Sequence, residues 1–280
     1  MMLPSTRYSL RRQTALKLGK YTAVGKISLR QQFAYVTDFL LRSLFLLLIL
    51  FVFMQLWRAA YAGVGAGHGT MAGFSLKQII WYLVFTEAVT MACPHLCQKI
   101  EDEVKNGDIA VRLLTPLSYI GYHYFSYMAE AALRFIVNLA IGSAIGWLLV
   151  GAPQLGAGWA GMAALVLGAL SLAFILNMTI ALCAFWVEET RGLEFVLQKL
   201  QFTVGGMLIP LDLMPYWLQR VCAWLPFRAV LYFPARIGVA FDARLLAEFA
   251  AIQAAWIGAL AAFVVWLYRK GVRKLNVNGG

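Results

Sequence analysis

Charge is what this 280-residue chain has least of. Asp, Glu, Lys and Arg make up 13% of it, against roughly 25% in a soluble domain. With 61% hydrophobic residues, that scarcity excludes an ordinary soluble fold. Cysteine is rare too: four residues, two of them in "CPHLC" (Cys93 to Cys97). A structural zinc site needs about four ligands, and no second cluster accompanies this one. Two cysteines at a helix end behave as small hydrophobes, and no disulfide framework is implied. Of three histidines, His68 and His123 stand without a neighbouring nucleophile. Phosphate-loop chemistry is missing as well. Gly19 and Gly25-Lys26 have the wrong spacing, and Ile27 occupies the place of a magnesium-binding Ser or Thr. The chain carries no visible means of hydrolysing ATP. Internal repeats and low-complexity tracts are absent, so it reads as one domain.

What it has is a series of long apolar runs, the mark of a polytopic membrane protein. Six spans are expected: Phe39 to Trp57, Gln78 to Leu96, Tyr119 to Val150, Trp159 to Val187, Leu193 to Ile209 and Leu246 to Tyr268. The first, at about 1.5 Å per residue, is long enough for a hydrocarbon core of about 30 Å. The third exceeds one crossing and must tilt or project. The fifth is interrupted by Gly205, Gly206 and Pro210. The aromatic, Pro-punctuated stretch beyond it suits short helices dipping into the membrane.

Lys and Arg set the expected orientation. Sixteen fall on the side of both termini, against Arg58, Lys77, Arg220, Arg228, Arg236 and Arg244 on the other, so both termini are expected in the cytoplasm. This also accounts for the net charge of +11 without nucleic acid as a partner. Residues 1–38 are basic but lack the apolar core of a signal peptide. Arg11 to Tyr35 interleaves Lys17, Lys20, Lys26 and Arg30 with Leu16, Tyr21, Val24, Ile27 and Phe33, the pattern of an interfacial helix; a basic tail obeying the positive-inside rule is the plainer reading.

Two groups of polar residues stand out. Inside the spans, Glu87 has no partner on its own helix, whereas Glu130 and Arg134 are spaced for an i,i+4 ion pair. Asp38 and Arg42 repeat that spacing. These residues either line a polar path or hold the bundle together. Gly142 and Gly146, and the Ala255, Gly258 and Ala262 face, permit close helix packing, within one chain or between two. Between spans two and three lies "KIEDEVKNGDIAVRLLTP", Lys99 to Pro116. An acidic helix should end at Asn106-Gly107, Asp108 should cap a second, and Ile109, Val111, Leu113 and Leu114 offer an apolar surface before Pro116. Such a knob fits a groove on a soluble partner. An interfacial helix resting on lipid is the alternative, opposed by the repulsion between Glu101, Asp102, Glu103, Asp108 and anionic headgroups.

The segment "VKNGDIAVRLLTPLSYIGYHYF", Val104 to Phe125, resembles the signature of ABC-2 type transporter permeases. The segment "LIPLDLMPYWLQRVCAWLPFRAVLYFPARIGVAF", Leu208 to Phe241, is similar to that family's Pro-rich hairpin before the last span. Thr115 departs from the pattern, standing where many relatives have Arg. The resemblance implies an all-α membrane protein with six transmembrane helices, an N-terminal interfacial helix, a cytoplasmic coupling helix and a re-entrant hairpin. Its parts would be an interfacial helix (1–38), a permease domain (39–270) with coupling region 98–117 and outer hairpin 208–241, and a cytoplasmic tail (271–280). Also implied is a permease subunit in the cell membrane, paired with a second permease subunit and powered by separate cytoplasmic ATPases that carry the ATP and magnesium. Glu103, Gly107, Asp108, Ile109, Leu113, Leu114 and Pro116 would receive the ATPase's movement. Glu87, Glu130, Arg134, Gly205 and Gly206 would lie along the pathway. Aromatics at 14% favour amphipathic or drug-like cargo, though interfaces enrich aromatics whatever is carried. A secondary transporter or channel working without ATP, and a membrane-embedded enzyme, remain as alternatives.

Overall fold

The computed structural model describes residues 19–32, 36–63, 70–153, 156 and 158–278, with the side chains of 36–44 and 275–278 outside the description. The expected interfacial segment is thus described only over 19–32, and His68 and the side chains of Asp38 and Arg42 lie outside the described residues. The chain is helical almost throughout. Residues 19–32 form α1, followed by α2 (Val36–Ala62), α3 (Leu76–Ala92), α4 (Leu96–Lys105), α5 (Asp108–Leu113), α6 (Tyr119–Val150) and α7 (Gly158–Ala181). Then come α8 (Arg191–Val204), α9 (Tyr216–Ala223), α10 (Tyr232–Val239) and α11 (Ala243–Asn278). A two-residue hairpin, Thr70–Met71 with Phe74–Ser75, precedes α3.

Among the described residues, five segments are long and apolar enough to cross a membrane: Phe45–Ala62, Leu76–Lys105, Tyr119–Val150, Gly158–Phe185 and Ala243–Lys274. The expected fifth span falls on α8, whose 14 residues reach about 21 Å at 1.5 Å per residue. The expected tail continues α11 as helix to Asn278.

α3 is the hub. It is apolar all round, and twelve of its seventeen residues are buried, as a helix surrounded by others must be. Ser75 starts it with a capping box closed by Gln78. α6 runs antiparallel to it at close range. Gly146 faces the Trp81 ring and Gly142 faces Val84, so this small-residue step serves packing within the chain. Gly258, by contrast, has nothing within 4 Å of where a Cβ would sit. α7 is clamped on its other side by α10 and α11. Gly158 and Gly161 lie against Ile237, and Gln253 donates to the carbonyls of Leu165 and Ala229 at 3.1 and 2.8 Å. Phe233 of α10 stacks on Phe249 of α11 at 4.0 Å.

α1 lies along the first half of α6. Tyr21 stacks on Phe125 at 5.0 Å and accepts from the Ser118 amide, and Ser28 meets Ser126 at 2.8 Å. Its opposite face presents Lys20, Lys26, Ile27 and Arg30 outward.

Candidate coupling segment and membrane cleft

The polar segment between α3 and α6 is a compact helical pair. Cys93-Pro94-His95 breaks the helix after Ala92, because proline cannot continue the backbone ladder. α4 then runs to Lys105, and Gly107 turns the chain with φ +77°, a left-handed conformation that a side chain disfavours. Gly107 itself occupies the cap position of α5. Asp108 is the first helical residue, in the first turn rather than at the cap, and its charge suits the positive helix start.

The four acidic residues divide by role. Asp102 and Asp108 are exposed; Glu101 and Glu103 are buried. Burying a carboxylate is costly unless it is paired and hydrogen-bonded, and both of these are. Glu103 pairs with Arg112 Nε at 2.8 Å through one oxygen. Its other oxygen accepts from Tyr119 at 3.0 Å and meets His123 Nε2 at 3.1 Å. Burial works against the charge on Arg112, yet Tyr122 and Glu103 together hold its pKa above the ordinary value. Its guanidinium lies 4.5 Å from the Tyr122 ring centre. Glu101 reaches the other way. One oxygen holds Lys105 at 2.7 Å, and the other accepts from the Thr190 amide and hydroxyl at 2.8 and 2.7 Å.

These bonds leave one surface outward. Ile109 is buried and Leu113 packs partly on the core, while Val111 is 68% and Leu114 87% exposed, next to exposed Gly107, Asp108, Thr115 and Pro116. The seven expected coupling residues therefore sort into an outward edge (Gly107, Asp108, Leu114, Pro116) and an inner support (Glu103, Ile109, Leu113).

The five expected pathway residues do not gather at one point. Glu130 and Arg134 form their i,i+4 ion pair, with Gln32 of α1 near the Arg134 guanidinium. Glu87 is fully buried, and both its carboxylate oxygens lack a hydrogen bond among the described residues. Gly205 and Gly206 end α8 beside α3. There Tyr82 donates to the Gly206 carbonyl, and Thr86 donates to that of Met207 at 2.9 Å. Gly206 has φ +77°, and a Cβ on it would meet the Tyr82 hydroxyl at 3.1 Å.

A cleft of about 450 Å³ opens next to this turn, among α3, α6, α7 and α8. Arg134 lines it; Glu87 does not. Asn138, Asn177, Gln198 and Gln201 contribute amides, and Phe45 and Phe202 contribute aromatic faces. None of those six residues was singled out from sequence, although Asn138 and Asn177 within apolar spans are the same signal of costly intramembrane polarity that marked Glu87. Sequence reasoning read Glu101 only as one of four acids on a polar helix and passed over Thr190, 89 residues away.

Among the described residues, no group of three His, Cys, Asp or Glu is placed to hold a metal ion. Cys97 is buried, with its thiol 3.4 Å from the Asn177 carbonyl. The arrangement is thus a multi-pass helical membrane protein with a braced polar projection at one end of its bundle. A model of the ABC-2 family transporter proteins matches residues 44–279, so the chain belongs to that family as a permease-type membrane subunit. No curated protein matches it.

Proposed function

We propose that this chain is the permease of an exporter for amphipathic or drug-like compounds, driven by a separate cytoplasmic ATPase that docks on the α4–α5 projection. The observation that carries this reading is the outward edge of α5. Val111 and, at its C-terminal cap, Leu114 expose apolar surface on a helix of six residues, which could not hold its shape alone. Glu103 fixes that helix from beneath through Arg112. A rigid apolar knob with flanking Asp108 suits a groove on a soluble protein.

In this reading the chain has six spans, α8 and the residues on to Ile209 form the fifth, and both termini are cytoplasmic. Two permease subunits enclose the path, and the hairpin closes its outer mouth. ATP binds only to the partner. ATPase closure pushes the projections and shifts a two-state pathway toward outward release. The cleft supports amphipathic cargo, since it combines amide groups with aromatic faces.

Affinity purification of the full chain from its native membrane in mild detergent tests the reading. A soluble ATPase should co-purify in stoichiometric amount and be lost on Leu114→Asp. Replacing Gly107 by Val strains the left-handed turn by about 1–2 kcal/mol and should uncouple ATP hydrolysis from transport in an inserted, folded protein. A chain that stays alone even after cross-linking would favour the ATP-independent transporter.

A further inference from the structure

The structure assigns Glu101 and Thr190 as the joint through which movement of the α4–α5 projection reaches α8; this rests on the permease reading above. Three observations converge on it. First, Thr190 stands at the N-cap of α8 yet makes no side-chain cap bond there. A threonine in that place ordinarily accepts from the first amides of its own helix. Here its hydroxyl and amide both donate to one oxygen of Glu101, at 2.7 and 2.8 Å, and Thr190 is fully buried. Charge-assisted bonds to a buried carboxylate are strong and directional. Both donors at the helix start are thus tied to α4.

Second, among the described residues α8 has little else to hold it. Leu197 is its only buried residue among fourteen. Its far end is pinned to α3 where Tyr82 and Thr86 bind the carbonyls of Gly206 and Met207. A helix fixed at both ends and loose along its middle moves as a strut: displacing one end tilts it about the other. The left-handed Gly206 supplies the pivot.

Third, α4 is rigidly joined to the docking edge. Glu103, two residues from Glu101, takes Arg112 of α5 and Tyr119 and His123 of α6. One short helix therefore carries two buried carboxylates, one facing the knob and one facing the strut. α8 lines the 450 Å³ cleft through Glu194, Gln198 and Gln201, so tilting it changes the cleft's shape. Glu101 is a positioning residue and touches no cargo.

The test needs no knowledge of cargo. The full chain, with native cysteines replaced by alanine and a Val196→Cys reporter on the exposed face of α8, is purified with its ATPase in lipid nanodiscs. Maleimide labelling is then compared with and without ATP plus vanadate. The unaltered joint should show a change in labelling rate of threefold or more. Glu101→Ala should abolish that change while binding the same amount of ATPase. Thr190→Val, which keeps the amide donor and loses the hydroxyl, should reduce it, and Thr190→Ser should restore it. Lys105→Met removes only the outer ion pair and should leave it intact, a distinction that a merely stabilising role would not produce. If Glu101→Ala fails to fold, the Thr190 pair decides the matter. A full response in Glu101→Ala or Thr190→Val overturns the joint, as does an unaltered joint that shows no nucleotide-dependent labelling. Absence of any co-purifying ATPase overturns instead the reading on which the joint rests.

Discussion

α8 and α10 lie within the same 49-residue stretch, between Arg191 and Val239, yet they are held in opposite ways. α10 buries seven of its eight residues, wedged between α3 and α7, with Gly238 so close to Phe85 that a Cβ would sit 2.8 Å from the ring. α8 buries one of fourteen and relies on hydrogen bonds at its two ends. Dense apolar packing makes a fixed element, because any displacement forfeits many contacts at once. End-pinned attachment makes an element that tilts at little cost. On the proposed reading, α10 is the static part of this short region and α8 the moving one.

The sharpest way to break this comparison is to weaken the packed partner. Phe233→Ala removes a fully buried ring stacked on Phe249 and should cost about 4 kcal/mol, read as loss of monodisperse protein on fluorescence-detected gel filtration. Glu103→Ala comes next. It strands Arg112 and His123 beneath the knob at a cost of about 3 kcal/mol, lowering the apparent Tm and loosening α5 in hydrogen exchange. Leu197→Ala should cost about 2 kcal/mol and raise exchange throughout α8 while α10 stays protected; equal deprotection of both helices would erase the distinction between them. Smallest is Tyr82→Phe. It deletes the donor to Gly206 for about 1 kcal/mol, and should increase exchange at the Gly205–Met207 turn with little change in Tm.

What was legible in the sequence followed from local chemistry. Apolar runs of crossing length located the five long segments. The left-handed turn at Gly107 and the Glu130–Arg134 pair were readable because both partners sit within one helical turn or a tight turn. Burial within the 99–116 segment was not legible. Glu101 and Glu103 look like any acidic pair on a polar helix, and only the fold brings Thr190, Tyr119 and His123 to them. His123, read as a lone residue, turns out to be a partner of Glu103. The cleft was hidden for the same reason, since its amides come from three different helices. The fifth span was expected to run on to Ile209; α8 ends at Val204, at glycines visible in the sequence, and short helices follow as the Pro-punctuated pattern suggested.

The central claim is that the outward edge of α5 docks a soluble ATPase. A photo-crosslinking benzophenone amino acid placed at Leu114, 87% exposed, tests it most directly in native membranes. Irradiation should yield one dominant adduct with a soluble nucleotide-binding protein, lost when Glu103→Ala loosens the support beneath. An adduct with lipid alone, or none at all while the same probe at buried Ile109 behaves identically, would contradict the assignment of this edge as the docking site.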